Sequence, residues 1–230
     1  MRLRQVVCTG LIMVPMVAVF GTVRAQSAAP VAPRRFGITA GINSSTFGGK
    51  DATNPTPSRR TGFMAGVLLV VPIRPSFAFQ PELLYTMKGA NIDDPSGSGG
   101  YKMTYIEVPL LARFDIATSG GVKPFLYAGP AVSFKMSCDI EIKSSFFNVN
   151  STCEEFVSQF ASTTKFKSID YGAIIGGGLA FDLSGKTFSI GARYDHSFGK
   201  ISEDTDPTVG NDVKHRVISV LATLEFPWGK

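Results

Sequence analysis

From Ser76 to Lys88 the chain alternates without a break. One parity reads Phe77, Phe79, Pro81, Leu83, Tyr85, Met87, and the other reads Ser76, Ala78, Gln80, Glu82, Leu84, Thr86, Lys88. A period of two puts each set on its own face of an extended strand. The same split returns in Phe188, Ile190, Ala192, Tyr194 against Ser189, Gly191, Arg193, Asp195, and in Ile218, Val220, Ala222, Leu224, Phe226 against Ser219, Leu221, Thr223, Glu225. Ordinary globular strands run to about five or six residues, whereas a tilted strand crossing a bilayer needs about 9–11. The length of these runs therefore points to strands that span a membrane.

Read this way, the chain holds eight candidate strands, near 36–46, 61–73, 75–89, 101–115, 123–137, 166–182, 186–199 and 213–227. The predicted fold class is all-β: an eight-stranded antiparallel up-and-down transmembrane barrel. Its connections alternate in length. Polar stretches near 47–60, 90–100, 138–165 and 200–212 read as long loops, and Pro72 to Pro75, Ile116 to Val122 and Ser184-Gly185 as tight turns. Short turns on the periplasmic side and long loops outside are the layout of an outer-membrane barrel.

Aromatic residues follow the same plan. Phe36, Phe77, Phe114, Phe125, Phe181, Phe188 and Phe226 fall at strand ends beside the short turns or termini, and Phe47, Phe63, Tyr85, Tyr101, Phe134 and Phe198 toward the other ends. Two such bands are what two membrane interfaces select. A soluble lipocalin-like barrel, with its apolar face turned inward around a ligand, is the alternative that parity alone leaves open.

The start of the chain has a different character. Met1-Arg2-Leu3-Arg4 precedes an apolar run from Val6 to Val23, and Val23-Arg24-Ala25 offers a cleavage site after Ala25. Residues 1–25 are read as a secretory signal peptide, 26–35 as a periplasmic segment and 36–230 as the barrel; a retained single-span anchor is the competing reading. Cleavage would remove Arg2, Arg4 and Arg24 and no acid, so the formal charge of +5 would fall to +2. That takes away the basis for a nucleic-acid partner. Cys8 would leave as well, and Cys138 and Cys153 are expected to pair in an oxidising compartment, with two free thiols as the alternative.

Several segments resemble a known family. Gln80-Pro81-Glu82-Leu83-Leu84-Tyr85 with Lys88-Gly89-Ala90, Tyr105-Ile106-Glu107-Val108-Pro109-Leu110-Leu111, Tyr127-Ala128-Gly129-Pro130, Asp170-Tyr171-Gly172 with Gly176-Gly177-Gly178, and Ala192-Arg193-Tyr194 are similar to the PorT-like outer-membrane β-barrel proteins of Bacteroidota. The resemblance covers about 36–226 and implies an eight-stranded barrel in the outer membrane of a Gram-negative bacterium. One branch of the family implies a subunit of a secretion or transport apparatus. Such barrels usually end on an aromatic residue read by the barrel-assembly machinery; here Phe226-Pro227-Trp228-Gly229-Lys230 moves that signal to Phe226 or Trp228.

Inward parity collects Glu82, Lys88, Glu107, Arg113, Lys135, Asp170, Arg193, Asp195 and Glu225. In a bore just wide enough for side chains, opposite charges are expected to form a buried ion-pair network, and little or no conductance follows. An acid pair of Glu82 with Glu107 is chemically conceivable but would have no access for substrate. A lipid-modifying outer-membrane enzyme would need a His and a Ser on the outer wall. Of the candidates, His196 and Ser197 are adjacent and so face opposite sides. No catalytic residues, metal site or cofactor are expected. Lys102, Lys214 and Arg216 share outward parity near the long-loop ends, where they could meet lipopolysaccharide phosphates. The 138–165 loop, with a Cys138–Cys153 bridge presenting Phe146, Phe147 and Phe156, is the expected surface for a protein partner.

Overall fold

The computed structural model describes residues 32–52, 57–94, 97–144, 148–159, 164–204 and 212–228. The predicted signal peptide lies outside them. The elements in chain order are β1 (Arg35–Gly48), β2 (Ser58–Arg74), β3 (Phe77–Asp94), β4 (Gly97–Asp115), β5 (Val122–Ser144), β6 (Asn148–Thr152), α1 (Cys153–Gln159), β7 (Lys165–Phe166), β8 (Ile169–Leu183), β9 (Lys186–Ser197), β10 (Ser202–Glu203) and β11 (Lys214–Pro227). Eight of them, β1, β2, β3, β4, β5, β8, β9 and β11, pair antiparallel in that order, and β11 pairs back onto β1 from Arg35↔Pro227 to Gly48↔Lys214. The sheet is a closed eight-stranded barrel. Neither end strand keeps a free edge, the condition for placing strands in hydrocarbon.

Alternation sets the facing. Along β3 the even residues from Ala78 to Ala90 are buried, while Phe79, Leu83 and Tyr85 are exposed. Along β9, Ser189, Arg193, Asp195 and Ser197 point inward. Apolar residues are thus outside and polar ones inside, the reverse of a soluble barrel. Short turns cluster at one end: Pro75-Ser76, residues 116–121, and Ser184-Gly185, whose two positive φ angles of 45° and 87° fit a type I′ hairpin. No described helix is long and apolar enough to cross a membrane; α1 is a single short helix in the third loop region.

Several expectations need correcting. The stretch 90–100 is not a loop, because β3 and β4 stay paired out to Asp94↔Gly97. The 138–165 region begins as strand: β5 continues to Ser144 and folds back as β6, pairing Asp139↔Thr152 to Lys143↔Asn148. Thr152 then caps α1, its Oγ1 accepting from Glu155 N at 3.2 Å, with Glu155 at the third helical position as in a capping box. Strand 166–182 begins instead at Ile169, after the separate short β7.

The consequence is a projecting blade. At about 3.3 Å per residue, β5 runs roughly 75 Å and β1 roughly 45 Å, against an apolar band about 25 Å tall. The β3–β4–β5–β6 sheet therefore rises beyond the rest of the barrel at the long-loop end, with β6 as its edge strand.

Three of the aromatic assignments also fail. Phe125 is buried, stacked on Tyr127 with ring centroids 5.9 Å apart and beneath the Arg113 guanidinium at 4.1 Å. Phe47 and Tyr101 turn inward and pack on the cluster of Met103, Tyr105, Cys138, Ile140, Cys153 and Ile201. Strand-end position does not fix facing; parity does. Phe36, Phe63, Phe77, Tyr85, Phe114, Phe134 and Phe198 remain exposed on the outer wall.

Gly89 marks a tight point of the wall. Its φ of +156° lies outside ordinary L-residue space, and a Cβ there would sit 1.9 Å from the carbonyl oxygen of Tyr101. Gly89→Ala should cost about 1–3 kcal/mol, read as a lower urea midpoint of the folded, heat-modifiable form; an unchanged midpoint would show that the strand relaxes freely.

Candidate functional site: the barrel interior and its long-loop end

The bore is filled by one connected polar network. Lys88 on β3 donates to Glu107 Oε2 on β4 at 2.5 Å and to Asp195 Oδ2 on β9 at 2.6 Å, and Ser133 Oγ donates to Glu107 at 3.0 Å. Arg193 Nη1 pairs with Glu82 Oε2 at 2.9 Å while its Nη2 stands 3.8 Å from Glu107. Glu82 accepts from Gln80, whose own amide oxygen accepts from Arg113. Arg113 closes the short-turn end by pairing with Glu225 at 2.9 Å and Asp115 at 2.7 Å, and Arg35 reaches Glu225 at 2.6 Å.

The predicted interior residues Glu82, Glu107, Arg113, Arg193 and Asp195 are thus brought together. Asp170 sits apart: it is buried and accepts from Ser197 Oγ at 2.6 Å, but has no cation within 4 Å among the described residues. Glu82 and Glu107 are bridged by Arg193 and are not a free acid pair. Lys135 leaves the network for Glu154 on α1, at 2.8 Å. Just beyond Lys135 lies a bulge at Met136, where β5 carries one residue more than β4 between Thr104↔Ser137 and Tyr105↔Lys135, and past that point Cys138 and Ile140 take the inward positions.

Glycines help this packing. Side chains at Gly176 and Gly178 would come within 2.7 Å and 2.8 Å of the Tyr127 and Phe125 rings. The run makes room for aromatics.

Above the charges the bore turns apolar. His215 is fully buried, its Nε2 3.1 Å from the hydroxyl of Tyr105, whose ring centroid stands 5.7 Å from the Lys88 ammonium. Higher still, a cavity of about 210 Å³ opens among residues that include Phe47, Tyr101, Met103, Phe166, Ile201 and Val213. The Cys138–Cys153 disulfide joins β5 to the start of α1 and belongs to this apolar cluster. Phe156, expected to be exposed, packs against it; Phe146 and Phe147 lie outside the described residues.

His196 lies on the outer wall, its Nδ1 3.4 Å from the Tyr194 hydroxyl, while Ser197 faces inward to Asp170. The two do not meet. Among the described residues no group of His, Cys, Asp and Glu converges to hold a metal.

The three outward cations differ. Lys214 pairs with Asp212 at 2.6 Å, and Arg216 Nη1 donates to the Ser197 and His215 carbonyls at 2.8 Å each. Lys102 has no carboxylate within 4 Å among the described residues, and it borders a notch between β2 and β3. Parity identified these cations, but not which of them other protein groups already engage.

A closed ring of apolar-out strands around a charged bore is an outer-membrane design, and residues 24–203 match the family model described as outer membrane protein beta-barrel domain. The chain belongs to that family. No curated protein matches it. Among solved structures it is similar to Neisserial surface protein A, at 14% identity and a TM-score of 0.43, covering 84% of this chain and 97% of that one. OprG from Pseudomonas aeruginosa gives 13% identity and a TM-score of 0.45 over 86% and 98%, and the outer-membrane enzyme PagL gives 14% and 0.41 over 84% and 99%. Scores of this size carry no weight for the role of this family member. Family membership itself implies the outer membrane of a Gram-negative bacterium.

Proposed function

We propose that this small outer-membrane barrel is a closed platform, not a channel or an enzyme, and that it works through the β5–β6–α1 segment at its long-loop end. The observation that carries the reading is the contrast between a bore blocked by paired charges from Asp195 to Glu225 and a blade pinned by Cys138–Cys153. A filled bore leaves loops as the surface for recognition. β6 is the edge strand of its sheet among the described residues, a site where an extended partner segment could add as a further strand.

This reading places the short turns in the periplasm after export by a cleaved signal at residues 1–25, with insertion by the assembly machinery. It takes outer-leaflet lipopolysaccharide as the lipid partner. It also places the chain in the PorT-like branch of Bacteroidota. The motif residues Gln80, Glu82, Glu107 and Arg193 all serve the interior network, which supports that placement. Within that branch, the partner of the blade would be another subunit of a secretion or transport apparatus.

Two measurements test the proposal. Purified protein in planar bilayers should show no large stable openings; sustained conductance would remove the blocked-bore premise. A photo-crosslinker at Asn150, on the exposed edge strand, should capture a discrete protein in native membranes. One at Lys186, at the short-turn end, should not capture the same species.

A further inference from the structure

The barrel wall is interrupted between β2 and β3 toward the long-loop end. Between Arg59↔Ala90 and Met64↔Thr86 the β2–β3 ladder loses its register, with one extra residue on β2. Side chains of β1 replace the missing rungs. Asn43 Nδ2 donates to the Met87 carbonyl at 3.1 Å and to Thr86 Oγ1 at 2.8 Å, while Ser45 Oγ donates to the Gly89 carbonyl at 2.8 Å and accepts from Gly89 N at 2.9 Å. What remains is a notch of about 340 Å³ lined by Ser45, Arg60, Thr61, Gly62, Phe63, Met87, Lys88 and Lys102.

We propose that this notch seats the phosphorylated head of an outer-leaflet lipid, with Lys102 and Arg60 as its cationic contacts. The inference deepens the outer-membrane reading above and rests on its orientation. Height supports it. Phe63 and Tyr85, exposed and stacked at 5.7 Å, lie in the aromatic band that marks the interface. Tyr85 pairs with Ile106, so Lys102 stands four residues farther toward the long loops, roughly 13 Å along the strand. That is headgroup level, with Phe63, Tyr85 and Met87 below it for acyl chains.

Charge supports it as well. Arg60 is balanced by Glu141, to which its Nη2 donates at 3.3 Å while Nη1 donates to Asn91, so it offers the unused N–H donors of its fork as hydrogen bonds and Lys102 supplies the net positive charge. Lys102 has no carboxylate within 4 Å among the described residues. Lys88 on the floor is already held by Glu107 and Asp195, so it shapes the notch and adds no net attraction. Asp139, Glu141 and Glu155 lie with Lys102 in a neighbouring hollow. They make the notch, rather than that hollow, the anion-facing side of Lys102.

The test uses the full mature chain in nanodiscs containing a trace of bisphosphorylated lipid A, with bound lipid counted by native mass spectrometry after mild detergent release. Lys102→Ala and Arg60→Ala should each lower retention roughly fivefold, about one surface cation's worth, and Lys102→Arg should restore it. Lys123→Ala and Lys186→Ala, at the opposite end, should retain lipid as the parent does. Excess inorganic phosphate should not displace the lipid; displacement would overturn the lipid assignment in favour of a free-phosphate site. Equal retention in Lys102→Ala, Arg60→Ala and the parent would overturn the notch. Heat-modifiable migration of every variant, with protease access to the blade on whole cells, is scored in parallel, so a misassigned orientation is recognised separately from an empty notch.

Discussion

Replacing Lys88 with methionine is expected to lower the folding free energy by about 3–5 kcal/mol, the cost of leaving buried carboxylates without their counter-ion. Lys88 holds Glu107 and Asp195, and both stay inside the bore when it is removed. The triple variant Lys88→Met, Glu107→Gln, Asp195→Asn removes the charges together and should recover most of the loss, since a buried ion cluster contributes little relative to neutral groups that fill the same space. Urea titration followed by the single Trp228, with the boiling-dependent gel shift as a second probe, gives both midpoints. If Lys88→Met alone matches the parent, the interior charges must be reaching water, and the blocked bore would be wrong.

The second large effect concerns the blade. Cys138 and Cys153 are 15 residues apart, a span for which loop entropy predicts roughly 3 kcal/mol of stabilisation. Cys153→Ser should detach α1 while leaving the membrane-embedded ring in place, because the eight barrel strands close without β6 or α1. Limited proteolysis should then cut within residues 145–165 in the variant and spare the parent, with heat-modifiable migration unchanged in both. Loss of the gel shift would mean that the apolar cluster around Cys138 supports the barrel itself. Equal protease resistance would mean that β5–β6 pairing and the Thr152 cap are sufficient alone.

Much of this architecture was legible in the chain. Period-two alternation gave eight strands, their order and the facing of residues such as Glu82, Arg193 and Ser219, because a strand has only two faces and lipid dictates which one is apolar. It failed where the period breaks. The bulge at Met136 turns Cys138 and Ile140 inward, and the unpaired stretch in β2 creates the notch; both follow from one extra residue relative to a partner strand, which a single strand's sequence does not reveal. The blade was read as loop although Cys138, Ile140 and Ile142 alternate with Asp139, Glu141 and Lys143; the extra residue at Met136 moves the buried set from Ala131 and Ser133 to Cys138 and Ile140, so the alternation does not continue the period of the preceding strand. Thr152-Cys153-Glu154-Glu155 carried a capping signature for α1 that could have been found. Which acid meets which base depends on register across the bore, as Arg113 and Glu225 show at 112 residues' separation.

The seam between β1 and β11 is an unbroken ladder from Arg35↔Pro227 to Gly48↔Lys214, joining segments at opposite ends of the chain. Ring closure therefore waits for the last strand to arrive. Contacts of such long range are intrinsically slow to form, so until that strand arrives β1 and whatever strands have assembled carry a bare edge open to any other chain. The exported protein thus has its greatest need for escort before its final fourteen-residue strand engages. Once that strand engages, the same seam leaves neither end strand with an unpaired edge.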